Sequence, residues 1–103
     1  MISCTMLVEF DDKDLARLET DPTFSAGFEH SIVRSFRKRI LFIRSSKDER
    51  DFYAMKSLHF EKLSGDRAGQ HSMRLNAQWR LILRIKQGDN GKLVVVVSIA
   101  DYH

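Results

Sequence analysis

The apolar residues of this chain change their period at Gly65. Before it they recur every three or four positions, and after it every two. A helix buries one stripe at a period of 3.6 and a strand buries alternate residues, so the change marks a helical half followed by a sheet half. From Phe24 to about Ile43, the residues Phe24, Phe28, Ile32, Phe36 and Ile40 fall four apart, with Val33 and Ile43 widening the stripe. That spacing predicts one long amphipathic helix. Its opposite face carries Arg34, Arg37, Lys38, Arg39 and Arg44.

Shorter elements flank it. Thr5 to Phe10 reads as a first strand with Val8 and Phe10 on one side. Asp11 or Asp12 then caps a helix whose face shows Leu15 and Leu18, and Pro22 ends that helix. Ser46 with Glu49 has the spacing of a capping box for another helix through Phe52 and Met55. The spacing leaves open whether that helix continues the long one.

In the second half, Met73 and Leu75 alternate with Ser72, Arg74 and Asn76. Trp79, Leu81, Leu83 and Ile85 alternate with Arg80, Ile82, Arg84 and Lys86. Gly88-Asp89-Asn90-Gly91 signals a hairpin. Leu93 to Ile99 is a nearly unbroken β-branched run, the pattern of a strand covered on both faces. The expected fold is a single α+β domain over residues 1–103. In it, one N-terminal strand and a three-strand C-terminal meander form a small, mostly antiparallel sheet against two or three helices.

The length of 103 residues fits one domain, and 43% hydrophobic content is enough for a core. Cys4 is the only cysteine, which excludes an intrachain disulfide and a cysteine-based zinc cluster. The first residues are interrupted too early by Asp11 and Asp12 to form a signal h-region. No apolar run approaches the roughly 18 residues of a spanning helix. The chain is therefore expected to be cytoplasmic, with no membrane partner. A formal charge of +3 tilts its partners mildly toward polyanions.

The usual catalytic signatures are absent. His30, His59, His71 and His103 share no metal-ligand spacing, no Gly-rich phosphate loop occurs, and Ser72 lacks the context of a nucleophile elbow. Neither a metal nor a cofactor is expected. What remains is a set of strand arginines. Placed on adjacent strands, Arg74 and Arg80 project from one sheet face with Arg84 farther along, and rigid guanidinium forks suit a phosphate. Spacing alone equally fits arginines that only keep the exposed face soluble. The same two readings hold for the row Arg34, Arg37, Lys38 and Arg39 on the helix, as contacts for RNA or an acidic partner or as a solvated face. At the C-terminus, Asp101-Tyr102-His103 directly follows the last strand. These residues fit two readings equally: an imidazole suited to proton exchange with a tyrosine able to stack or donate, or a polar end that simply stops the strand.

The run from Leu63 to Arg80, together with the closing Asp-Tyr-His, resembles the HigB branch of the RelE/ParE toxin superfamily. The matching pieces are the Leu-x-Gly-Asp-Arg-x-Gly turn at Leu63–Gly69, the Ser-x-Arg-x-Asn strand at Ser72–Asn76, and Gln78-Trp79-Arg80. The helical half matches in pattern alone. The resemblance implies a RelE-like fold and a toxin of a type II toxin–antitoxin system. It further implies a metal-independent endoribonuclease that cuts messenger RNA on the ribosome and so inhibits translation. Implied partners are the ribosome and mRNA and a cognate HigA-like helix-turn-helix antitoxin, with operator DNA contacted only through that antitoxin.

Residue by residue, the resemblance makes His103 the candidate acid or base, with Tyr102 and Asp101 beside it. Arg74 and Arg80 would stabilise phosphate charge. Some relatives carry a catalytic histidine where this chain has Glu61, and a histidine stands two residues earlier at His59. The second acid/base role is open between them. Arg67, Asn76, Arg84, Lys86, Arg37 and Lys38 are the further expected RNA contacts, while Trp79 alternates with Leu81 as a core residue does. Two alternatives stand beside the nuclease: a ParE-like gyrase inhibitor, and a non-catalytic RNA- or protein-binding module of the same fold.

Overall fold

A computed structural model describes residues 6–88 and 91–101. Strand β1 (Leu7–Phe10) leads into helix α1 (Lys13–Thr20), opened by the Asp12 carboxylate, which accepts from the Asp14 N–H at 2.8 Å. The α1 helix stops at Asp21, one residue before Pro22. Helix α2 (His30–Ser45) and the short helix α3 (Glu49–Ala54) follow, then a 3₁₀ turn at Lys56–Leu58. The remaining chain forms β2 (Glu61–Lys62), a 3₁₀ turn at Gly65–Arg67, β3 (His71–Arg74), β4 (Trp79–Gly88) and β5 (Gly91–Asp101).

The sheet runs β1-β5-β4-β3-β2, antiparallel throughout except that β1 lies parallel to β5. The α+β architecture and mostly antiparallel sheet expected from the sequence are thus present, with a fifth strand, β2, added at the edge. Two residues are too few for a period to register, so β2 had no sequence signal. Gly88 pairs with Gly91 across the β4–β5 turn; Asp89 and Asn90 lie outside the described residues.

The helices cover one face of the sheet. Leu15 and Leu18 of α1 and Ile32, Phe36, Ile40 and Ile43 of α2 pack with Met73, Leu81, Leu83, Val94 and Val96 in one buried cluster. Val95 is buried between Val94 and Val96, and Ile82 between Leu81 and Leu83. Alternation puts both on the opposite face, as the β-branched run implied.

Two helix boundaries differ from the sequence reading. The long helix starts at His30 rather than Phe24. Ala26 and Gly27 have φ of 52° and 83°, which no α-helix tolerates, so residues 24–29 form turns. Phe24 and Phe28 kept the four-residue spacing because both rings pack against the core, Phe28 edge-on to Trp79 at 5.6 Å. The cap of α3 is Asp48, not Ser46, because its carboxylate accepts from the Arg50 N–H at 2.9 Å. Ser46 instead terminates α2 in an extended conformation and donates its hydroxyl to the Phe42 carbonyl at 2.8 Å. The helices α2 and α3 are separate.

His71 faces the helix side of β3, stacked on Phe60 with ring centroids 5.1 Å apart. Its Nδ1 is buried with no hydrogen-bond partner among the described residues. Burial, aided by the Lys62 charge and opposed by Glu49, holds its pKa below the ordinary 6.5. The unfolded chain therefore binds this proton more readily. His71 subtracts stability as pH falls through 6.5 and imposes no penalty above it. The acid-side fall in melting temperature between about pH 7 and about pH 5 should be shallower for His71→Phe than for wild type. Phe36→Ala should lower the free energy of unfolding in urea by about 3–5 kcal/mol, because Phe36 is fully buried at the centre of the cluster.

Candidate active site

The β3–β4 hairpin builds the site. Its turn is closed by Asn76, whose side-chain carbonyl accepts from the N–H groups of Gln78 and Trp79, each at 2.8 Å. The turn sets a register that pairs Arg74 directly with Arg80 and Ser72 with Ile82. Residues directly opposite share a face, so both arginines project from the side of the sheet away from the helices. Each is further held. The Arg74 Nε donates to the Asn76 carbonyl at 3.2 Å, and the Arg80 Nε donates to the buried Ser72 hydroxyl at 2.9 Å.

The segment before β2 completes the wall. His59 has a left-handed backbone (φ 47°, ψ 46°) between the buried Leu58 and Phe60. Its carbonyl accepts from the Arg80 Nη2. Glu61, on β2, places a carboxylate oxygen 3.7 Å from the same Nη2. A cleft of about 260 Å³ results, lined by His59, Arg74, Asn76, Ala77 and Arg80. Behind it, the Arg39 Nε donates to the Arg74 carbonyl at 2.9 Å. Burial and the neighbouring Arg74 charge lower the Arg39 pKa from its ordinary value. Like charges set directly opposite one another work against folding, and an anion between them removes that penalty. A larger apolar groove of about 430 Å³ lies between α2 and α3, but the only ionisable group lining it is Asp51, already accepting from the Lys47 N–H at 2.9 Å.

The fold therefore brings together His59, Glu61, Arg74, Asn76 and Arg80. Arg84 and Lys86 extend the same face along β4, Arg84 half-buried and Lys86 exposed. Asp101 pairs with Trp79 in the register, while Arg80 pairs with Ala100, so the Asp101 side chain leaves from the helix side of the sheet. Its carboxylate accepts from the Gln78 side-chain amide at 3.1 Å, at the rim of the hairpin turn. Arg67 is exposed on its 3₁₀ turn and donates to the Gln70 side chain at 3.2 Å. Tyr102 and His103 lie outside the described residues.

The helix cations are not at the cleft. Helix α2 packs on the other face of the sheet, and Arg37 donates to the carbonyls of Leu18 at 3.0 Å and Asp21 at 2.8 Å, tying the α1–α2 connection to α2. A guanidinium spent on buried carbonyls is a structural clamp. Lys38 is exposed. Ser72 is the residue of the site that sequence reasoning passed over, and Arg39, read there as part of the basic helix face, is instead turned onto the β3 backbone behind the cleft. Their roles depend on strand register and on which helix face meets β3, and neither is set by local spacing.

The family model for the RelE-like toxin of the type II toxin–antitoxin system HigB matches residues 8–103. Among solved structures, a YoeB/ParE toxin from Agrobacterium tumefaciens is similar at a TM-score of 0.55 and 19% identity, covering 95% of this chain and 100% of that one. The toxin–antitoxin complex of YoeB with YefM from Staphylococcus aureus contains a chain similar at a TM-score of 0.55 and 18% identity, with 95% and 97% covered. At such identities the structures establish the fold, which is that of the RelE-like toxins. No curated protein sequence matches the chain. The chain belongs to the HigB-like family of type II toxins.

Arg37→Ala should lower the free energy of unfolding by about 1–3 kcal/mol through its lost carbonyl bonds. Lys38→Ala should stay within about 0.5 kcal/mol of wild type. Urea denaturation of the two variants side by side makes the comparison.

Proposed function

We propose that this toxin is a ribosome-dependent endoribonuclease that cuts messenger RNA without a metal ion or cofactor and so arrests translation. The observation that carries the reading is the directly opposed pair Arg74–Arg80 at a cleft lined also by His59, with the Glu61 carboxylate 3.7 Å from Arg80. RNA carries its own nucleophile, the ribose 2′-hydroxyl. Its oxygen attacks the adjacent phosphorus while its proton passes to a base. The bond to the 5′-oxygen breaks, and that oxygen gains a proton, leaving a cyclic phosphate and a 5′-hydroxyl end. Charge grows on the phosphate oxygens as this happens. Two fixed guanidinium groups stabilise it more than they stabilise the ground state.

Glu61 is assigned the base, because its carboxylate oxygen stands 3.7 Å from the Arg80 guanidinium that would hold the phosphate. His103, with Tyr102 and Asp101, takes the acid role on the strength of the family resemblance. Arg84, Lys86, Arg67 and Asn76 give the RNA backbone its track. The partners in this reading are the ribosome and a cognate helix-turn-helix antitoxin, and operator DNA is bound through that antitoxin. No helix among the described residues is long and apolar enough to cross a membrane, which agrees with a cytoplasmic site of action.

The test is expression under tight control with mapping of messenger RNA 5′ ends on translated transcripts. Wild type should give new in-frame cuts, His103→Ala none, and Arg80→Ala a rate lower by about 10²-fold or more. Growth arrest without cuts would move the protein to gyrase inhibition or another binding-only mechanism. With purified toxin, Glu61→Gln should cost about 10²-fold in cleavage rate. His59→Gly keeps the carbonyl that holds Arg80 and accepts the left-handed backbone, so its loss should be much smaller. The reverse order would hand the base role to His59.

A further inference from the structure

We infer that Ser72 is the positioning residue of the cleft: its buried hydroxyl, with the left-handed carbonyl of His59, fixes the plane of the Arg80 guanidinium before any substrate arrives. The catalytic consequence rests on the nuclease reading above, whereas the positioning itself rests on geometry alone.

Ser72 is fully buried on β3, with the buried Ile82 of β4 opposite it on one side and Glu61 of β2 on the other. A hydroxyl in that position costs free energy unless it is hydrogen-bonded, so a small apolar residue would pack there more readily. Its oxygen accepts from the Arg80 Nε at 2.9 Å. Because Ser72 stands opposite Ile82, it is the diagonal neighbour of Arg80 on the same face, and a short and a long side chain span that diagonal. The other end of the guanidinium is held by the His59 carbonyl, through Nη2. That carbonyl is presented by a left-handed backbone (φ 47°, ψ 46°), with Leu58 and Phe60 on either side anchored in the core. A non-glycine residue persists in such a conformation when its surroundings over-determine it.

Two acceptors at opposite ends of a planar fork remove its freedom to tilt. Glu61 adds charge at 3.7 Å but is half-exposed, too loosely held to set an angle. A guanidinium fixed in this way meets developing phosphate charge with no reorganisation, and its effect appears in the rate of the step rather than in binding.

The experiment compares wild type, Ser72→Ala and Ser72→Thr by NMR of the arginine Nε–H groups and by steady-state cleavage on programmed ribosomes. In the wild type the Arg80 Nε–H should exchange slowly with solvent. Ser72→Ala should lose that protection and lower kcat by about tenfold, with KM within about twofold. Ser72→Thr, which keeps the hydroxyl, should retain both. A freely exchanging Arg80 Nε–H in the wild type overturns the proposal with no variant needed. So does a Ser72→Ala protein that keeps its protection, or one that loses it at wild-type kcat. If the wild type makes no cuts, the nuclease reading fails, and the Nε–H comparison alone decides whether Ser72 seats Arg80.

Discussion

Packing of Phe36, Ile40 and Ile43 against Leu81, Leu83, Val94 and Val96 fixes which side of the sheet faces the helices and which faces away from them. A strand offers its side chains alternately to two faces, so this single contact decides the orientation of every residue on β4. Leu81 and Leu83 turn to the helices, and Arg80 and Arg84 are thereby turned to the other side. A slip of one residue would bury the arginines and expose the leucines. The chemistry of the cleft is thus enforced by apolar residues that never touch it. The pairing of Arg74 with Arg80, unfavourable between like charges, is held by the rest of the hairpin and by the Asn76 turn.

The sequence made this skeleton legible where its signal was periodic. Arg74 and Arg80 were readable as face partners because alternation and a short turn leave few registers. The Leu93–Ile99 run was readable as a strand buried on both sides. Local spacing misled where a residue was buried for reasons other than helix geometry. Phe24 and Phe28 mimic a helical stripe, yet Ala26 and Gly27 adopt positive φ between them. Ser46 and Glu49 have capping-box spacing, but Asp48 lies closer to the helix it caps and holds its charge there. At the site, the Ser72 contact to Arg80 depends on the hairpin register and the His59 contact comes from outside the hairpin, and Arg37 spends its charge on carbonyls that only the tertiary fold brings near.

The two sides of the sheet also divide the histidines. His59 is exposed at the cleft, while His71 lies on the helix-covered face with a buried ring nitrogen that has no partner among the described residues. One faces solvent, and the other is a polar ring serving as a core side chain. Residue type alone would have given both the same chemistry. Environment separates them.

The parallel pairing of β1 with β5 has a consequence for how the molecule comes into being. Leu7 lies beside Leu93, and Phe10 beside Val96, so the strand made first waits for the strand made last of those described. On a ribosome, β1, the helices and the arginine hairpin all emerge before the strand that joins them. Contacts of such sequence separation are slow to form, because the loop between them must be closed first. The hairpin that carries Arg74 and Arg80 exists as a local unit early. Its backing, and with it the fixed face on which the cleft depends, arrives only when β5 slides between β1 and β4. A chain halted before Gly91 holds the paired arginines without the strand that joins their hairpin to the rest of the sheet.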